Sequence, residues 1–301
     1  MDSHTGTSIL LESEHGNKNI SNVKKDEIEA KLKELELKVG GNRGEKDEVL
    51  VGQKLYHYSQ SENIDELVKI FGEEASQGIE LMDVNTTHPI ANINQIKKAK
   101  SSCKADISIL MKKTQKVYNA SVKSKNASNP SIVNATRRSL FIKNRDLSKY
   151  VPSMDILMPQ YLADPDNQCG TKSEVDRNLS SYGLSEKEKD DVAAVISYFM
   201  FEGTGKGTSS CKANAVIEYS GDEISFNAYD TEAQRLGYVL KNWNRYIISV
   251  RGLKKQKSGK IRGNGILKRG LSEDDEAWGC YYTKDGVKYP RGAICIRMKT
   301  K

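Results

Sequence analysis

The chain has 301 residues, 37% hydrophobic and 29% charged, which is enough for one large globular domain or for a domain carrying a mobile arm. No stretch approaches the roughly 18 uninterrupted apolar residues of a membrane helix, and Met1-Asp2-Ser3-His4 has no basic region leading into an apolar one, so neither a membrane span nor a signal peptide is expected. Lys and Arg total 47 against 40 Asp and Glu, a formal net charge of +7 that by itself hardly implies a polyanionic partner.

Met1 to Ser21 is polar and rich in Gly, Ser and Asn. Val23, Ile28, Leu32, Leu35 and Val39 then fall at helical spacing amid Lys and Glu and close at Gly40-Gly41, so residues 1–50 read as a flexible arm holding one amphipathic helix. Ser61 to Ala75 predicts a second helix with an Ile64, Leu67, Val68 and Phe71 stripe. A further helical stretch is expected over Asn92 to Val122, ending before the Asn/Ser-rich run 125–130, which reads as a hinge. Residues 51–130 thus form an exposed helical region and 131–301 a core. In that core, Ser153 to Ala163 and Ser173 to Tyr182 predict short helices. Ser185-Glu186-Lys187-Glu188 is a capping box opening a helix through Val192, Val195, Ile196, Phe199 and Met200, stopped by Gly203, Gly205 and Gly207. Ala215–Tyr219 and Glu223–Asn227 flank Ser220-Gly221-Asp222 as a short hairpin. Leu236, Val239, Leu240, Trp243, Tyr246 and Ile247 predict a helix over Thr231 to Val250, followed by a Gly/Lys/Arg loop to Gly270. The expected fold class is mainly α, with one small β-hairpin and a flexible N-terminal arm.

The charge is unevenly placed. Residues 231–301 hold 17 basic and six acidic side chains, a net of +11, whereas the first 230 hold 30 and 34, a net of −4. Ten cations lie between Lys241 and Arg269 with no Asp or Glu among them, the electrostatic footprint of nucleic-acid binding. Arg235, Lys241 and Arg245 interleave with Trp243 and Tyr246, so that cations meet phosphates while aromatic faces meet bases; Arg251, Lys254, Lys255 and Arg262 extend the surface along a glycine-punctuated loop. The bland alternatives are a solvated basic loop and core packing of the two aromatics.

Other chemistry is thinly supported. Cys103, Cys169, Cys211, Cys280 and Cys295 are odd in number and scattered, with no CxxC and no histidine at ligand spacing; free thiols in a reducing compartment fit best, and neither zinc nor a cofactor is expected. Gly203-Thr204-Gly205-Lys206-Gly207-Thr208 resembles the end of a phosphate-cradling loop, but a full P-loop needs a glycine at Met200 and a strand before it. A metal-dependent nuclease was weighed on Glu218, Asp222, Glu223 and Asp230 around the hairpin, where no carboxylate-x-Lys stands on the second strand. No catalytic residues are assigned.

The order of helix, Gly/Thr/Ser stop, hairpin, Arg-bearing helix and C-terminal Trp/Cys/Tyr segment resembles coat proteins of flexuous filamentous plant viruses over 170–301. Tyr182-Gly183-Leu184-Ser185 through Glu202-Gly203-Thr204 is similar to the potyvirus coat stretch, and Gly207–Ser210 leading into Val216–Tyr219 and Asp222-Glu223 to the closterovirus one. The resemblance implies a non-enzymatic coat subunit that polymerises with itself into a helical filament around single-stranded RNA, found in the virion and the host cytoplasm. It also implies an RNA-proximal arginine at Arg235 or Arg245 and a C-terminal aspartate at Asp285. A nucleocapsid protein of a negative-strand RNA virus is the neighbouring alternative.

Overall fold

The computed structural model describes residues 43–61, 63–126, 129–135, 137, 140, 145–163, 177–205, 207–221, 223–250, 281–284, 287–290 and 294–299. The expected amphipathic segment of the first forty residues, the Gly/Lys/Arg loop expected up to Gly270 and Asp285 lie outside them. The mainly α expectation is overturned by a five-stranded mixed sheet and a four-stranded antiparallel one.

The largest departure falls on the stretch where a helix over 92–122 is predicted. Ile107, Ile109 and Met111 share one face of an extended run, and Tyr118, Ala120 and Val122 share one face of the next, which is strand period rather than helix period. The runs pair antiparallel as β2 (Ile107–Met111) and β3 (Lys116–Ser124). Their turn, Lys112 to Gln115, contains neither Gly nor Pro; it closes through Gln115 N–H donating to the Met111 carbonyl at 2.8 Å, with Gln115 taking a left-handed φ of 58°. A hairpin without turn punctuation leaves no sequence mark distinct from a polar helix.

β1 (Ile79–Met82) lies antiparallel on the other side of β2. The expected hairpin is present as β8 (Ala215–Ser220) and β9 (Glu223–Ala228), with Ser220 paired to Glu223 across the turn. The first sheet runs β1-β2-β3-β8-β9, and only β3 and β8 are parallel. A parallel pair needs a long crossover, and this one, over residues 125–214, holds part of the second core. The 125–130 run is where the chain leaves β3 and enters β4 (Ser131–Ala135) of the second sheet. There follow α3 (Val151–Ala163), β5 (Arg177–Asn178), α4 (Glu186–Phe201), and the two-rung ladder β6 (Gly203–Thr204) with β7 (Gly207–Thr208). The second sheet is β4-β13-β10-β5, where β10 is Tyr246–Val250 and β13 is Ile294–Met298. A further ladder joins β11 (Tyr281–Lys284) to β12 (Val287–Pro290).

Two apolar clusters meet across the first sheet. Leu50, Val51 and Leu55 of α1 (Arg43–Gln60), with Leu67 and Phe71 of α2 (Ile64–Phe71), pack on Ile109, Val122 and Ile217. On β8 the alternation turns Val216 into the second cluster with Met154, Leu157, Val192, Ile196, Phe199 and Ile296, whereas Asn119, Ser121, Lys123 and Glu218 make the rest of that face polar. Helix α1 lies across the expected arm boundary at residue 50 and buries eight of its residues.

The capping box is formed as expected: Glu188 N–H donates to Ser185 Oγ at 3.3 Å and Ser185 N–H to Glu188 Oε2 at 2.7 Å. Gly203 then stops the helix by close approach, since a Cβ there would sit 2.0 Å from the Tyr198 ring. Two predicted helices are corrected. Within Ser173 to Tyr182, the described part is β5 and a single 3-10 turn, Leu179–Ser181, capped by Asn178. The Thr231 to Val250 helix ends early: α5 covers Glu232–Lys241, a 3-10 turn covers Trp243–Arg245, and the β-branched run after Tyr246 pairs with β13. Among the described residues no helix is long and apolar enough to cross a membrane.

Candidate functional site

Ionisable side chains from four segments converge where α1 crosses β2 and β3. Asp106 stands immediately before β2 because its own N–H donates to Ala120 O at 2.8 Å, fixing the first rung of the hairpin. Its Oδ2 accepts Val122 N–H at 2.8 Å and Ser121 Oγ–H at 3.2 Å. Two residues on, and so on the same face as Ser121, Lys123 donates its Nζ to Ser121 Oγ at 2.6 Å and to Val122 O at 3.3 Å. Asp106, Ser121 and Lys123 therefore form a chain whose geometry is set by strand register.

Glu48, on α1, feels the charges of Asp106 and Lys123 in this chain. Burial, followed by the negative field of Asp106, pushes its carboxyl from an ordinary 4.5 up to about 8, against the opposing pull of Lys123 and Lys98. Lys104, two residues before Asp106, is displaced the other way. Burial and then the charge of Lys123 bring it down to about 7, while Asp106 and Glu48 hold it up. Around the cluster, Lys98 pairs with Glu45, and buried Asp47 takes Ser124 Oγ–H on one oxygen and lies 3.1 Å from Arg43 Nε on the other. The Asp47–Ser124 bond ties the first turns of α1 to β3, and the Lys98–Glu45 pair ties them to the segment before β2.

Burial first, and then the field of Asp106, disfavour the ionised Glu48 carboxylate, a cost that a hard divalent cation would lower. The oxygen donors suit Mg²⁺ or Mn²⁺, which take one or two carboxylates and fill the remaining positions with water and substrate oxygens. No group of three His, Cys, Asp or Glu that could hold a metal ion is found among the described residues, so a cation here would draw its other positions from water and substrate oxygens. A displaced carboxyl beside a displaced lysine is also the usual arrangement of acid–base chemistry near neutral pH.

The titration of Glu48 gives the first expected result. Its raised value means that stability present below 4.5 is lost as pH climbs toward 8, because the folded site resists the ionised form. Cation binding needs that ionised form, so affinity should rise about tenfold per pH unit below 8 and level off above it. Melting curves with and without Mg²⁺ at pH 6.5 and 8.5 check this: the Mg²⁺ stabilisation is expected to be larger at the higher pH.

The residues expected to bind RNA are placed otherwise or lie outside the described residues. Arg245 is buried, with Nη1 at 3.0 Å and Nη2 at 3.3 Å from the two Glu218 oxygens and Nε donating to Lys299 O. Arg235 Nη2 donates to Glu202 at 3.2 Å and its Nη1 to Asp230 O. Lys241 is exposed at the end of α5. Tyr246 is fully buried and so presents no stacking face, and Trp243 is partly buried against the second core. Arg251, Lys254, Lys255, Arg262 and Asp285 are among the residues not described. Of the hairpin acids weighed for a nuclease, Glu218 belongs to Arg245 and Lys125, and Asp230 pairs with Lys116 at 2.6 Å. Comparison with family models, curated proteins and solved structures finds no match for this chain.

Glu48, Lys104, Asp106, Ser121 and Lys123 were not singled out from the sequence. The available signal was Lys104-Ala105-Asp106 ahead of an apolar run, followed on the next strand by Ser121-x-Lys123; it is meaningful only when 107–124 is read as a hairpin.

Proposed function

We propose that the chain is a divalent-cation-dependent phosphodiester hydrolase acting on nucleic acid. The observation that carries this is the hydrogen-bonded chain of Asp106, Ser121 and Lys123 at one end of β2 and β3, whose charges act on Glu48 and Lys104. Glu48 and Asp106 would hold the cation. When bound, it supplies Lewis-acid polarisation of a phosphoryl oxygen and a water of lowered pKa. Lys123, oriented by Ser121 and the Val122 carbonyl, presents a fixed positive charge to the phosphoryl oxygens as negative charge builds there. Lys104, close to half-protonated near neutral pH, is suited to exchange a proton with water or a leaving oxygen.

Polyanion binding is supported from two directions. Between Val84 and Ala105 the chain carries Lys97, Lys98, Lys100 and Lys104 and no acid, leading directly into Asp106. The cationic run from Lys241 to Arg269 adds a second source of phosphate contacts. Incubation of the full chain with plasmid DNA and with single-stranded RNA, in Mg²⁺ and in excess chelator, tests the proposal. Cleavage of at least one substrate in Mg²⁺, abolished by chelation and restored by Mn²⁺, is expected; intact substrates under all conditions would contradict it. An RNA-encapsidating subunit stays the second reading on the strength of that same cationic run. It predicts flexuous filaments with single-stranded RNA in electron micrographs at low salt and no cation-dependent cleavage.

A further inference from the structure

We propose that Cys103 and Cys211 are a dithiol modification site that closes to a disulfide and staples the loop carrying Lys104 and Asp106 to the loop entering β8. The two Sγ atoms lie 2.8 Å apart although 108 residues separate them in the chain. Cys211 Sγ donates to Val84 O at 3.1 Å, and Cys103 Sγ lies 3.5 Å from Asn85 Oδ1, so both sulfurs are also tied to the turn after β1. The backbones are docked independently of the sulfurs. Lys104 N–H and Ala105 N–H both donate to Cys211 O, at 3.0 and 3.1 Å. Ser209 Oγ accepts Lys104 N–H at 2.9 Å and Cys211 N–H at 3.1 Å. Oxidation therefore shortens an existing contact by under about 1 Å and moves no element to make it.

Both cysteines are half-buried thiols that a small reagent reaches, whereas Cys295 is fully buried against Ser131 Oγ. Burial and the neighbouring sulfur push the Cys103 thiol up to about 11. The Cys211 thiolate attacks one sulfur of a low-molecular-weight disulfide and releases one thiol. Cys103, losing its proton to solvent, then attacks the Cys211 sulfur of the mixed disulfide and releases the second. Two protein thiols are oxidised and one external disulfide is reduced to two thiols.

The site stands apart from the hydrolase proposal, because its readouts need neither cation nor nucleic acid. Full chain is treated with oxidised glutathione at pH 8, digested and analysed by mass spectrometry, and melted in parallel. A linked peptide pair containing Cys103 and Cys211 is expected, with the melting temperature raised by about 5–10 °C and returned by dithiothreitol. Cys103→Ser and Cys211→Ser should each remove both the link and the shift, and Cys295→Ser should leave both. Recovery of Cys103 and Cys211 as separate thiols or separate glutathione adducts overturns the proposal, as does a linked pair with an unchanged melting temperature.

Discussion

Asp106→Asn is expected to lower the cation-dependent cleavage rate by at least about 10²–10³-fold while leaving the fold intact. The asparagine keeps an oxygen acceptor for Val122 N–H and Ser121 Oγ–H, so the first rung of the β2–β3 hairpin survives. What it loses is the charge that, with Glu48, would hold the cation. The same substitution removes the repulsion acting on Glu48, whose carboxyl should titrate lower than about 8. Circular dichroism and a pH titration therefore separate a damaged site from a damaged fold. Wild-type cleavage by Asp106→Asn would remove this cluster from the chemistry.

The second large effect is on stability. Arg245→Ala should destabilise the chain by about 2–4 kcal/mol, read from the urea midpoint, because it strands Glu218 in the interior. Lys125 at 3.1 Å and the Tyr238 hydroxyl at 3.2 Å remain near Glu218, but the two-pronged contact from the buried guanidinium is gone. Burial raises the Glu218 carboxyl, and the hydrogen bonds and charges of Arg245 and Lys125 outweigh it, so the net displacement is downward. A lowered carboxyl contributes stability that is present above its ordinary 4.5 and lost as pH falls through the folded value. Arg245→Ala should accordingly flatten the acid limb of the stability curve. Were Arg245 an RNA contact instead, its loss would spare stability and reduce the slope of log affinity against log salt by about 0.7.

Legibility in the sequence followed the range of the interactions involved. The Ser185 capping box, the helices over Ile64–Phe71 and Val151–Ala163, and the 215–228 hairpin each depend on residues within a few positions of one another, and each is where the local pattern places it. The hairpin of β2 and β3 failed because its turn, Lys112 to Gln115, uses a left-handed glutamine in place of glycine or asparagine. Tyr246–Val250 failed for a different reason: its pairing with β13 joins residues about fifty positions apart, and only that pairing makes a strand of it. The candidate site compounds both. Glu48 reaches Asp106 across more than fifty residues and Lys123 across seventy-five, through a hairpin whose turn carries no glycine or proline. Arg235 and Arg245 show the converse, since a local pattern of cations among aromatics reads as surface until Glu202 and Glu218 arrive from distant segments to pair them.

Mn²⁺ titration of the full chain, followed by electron paramagnetic resonance, tests the proposed cation binding by Glu48 and Asp106. One bound Mn²⁺ per chain is expected at pH 8.5, displaced by Mg²⁺, bound more weakly at pH 6.5 and lost in both Asp106→Asn and Glu48→Gln. Absence of bound Mn²⁺ at pH 8.5, or binding undiminished in those variants, would contradict it.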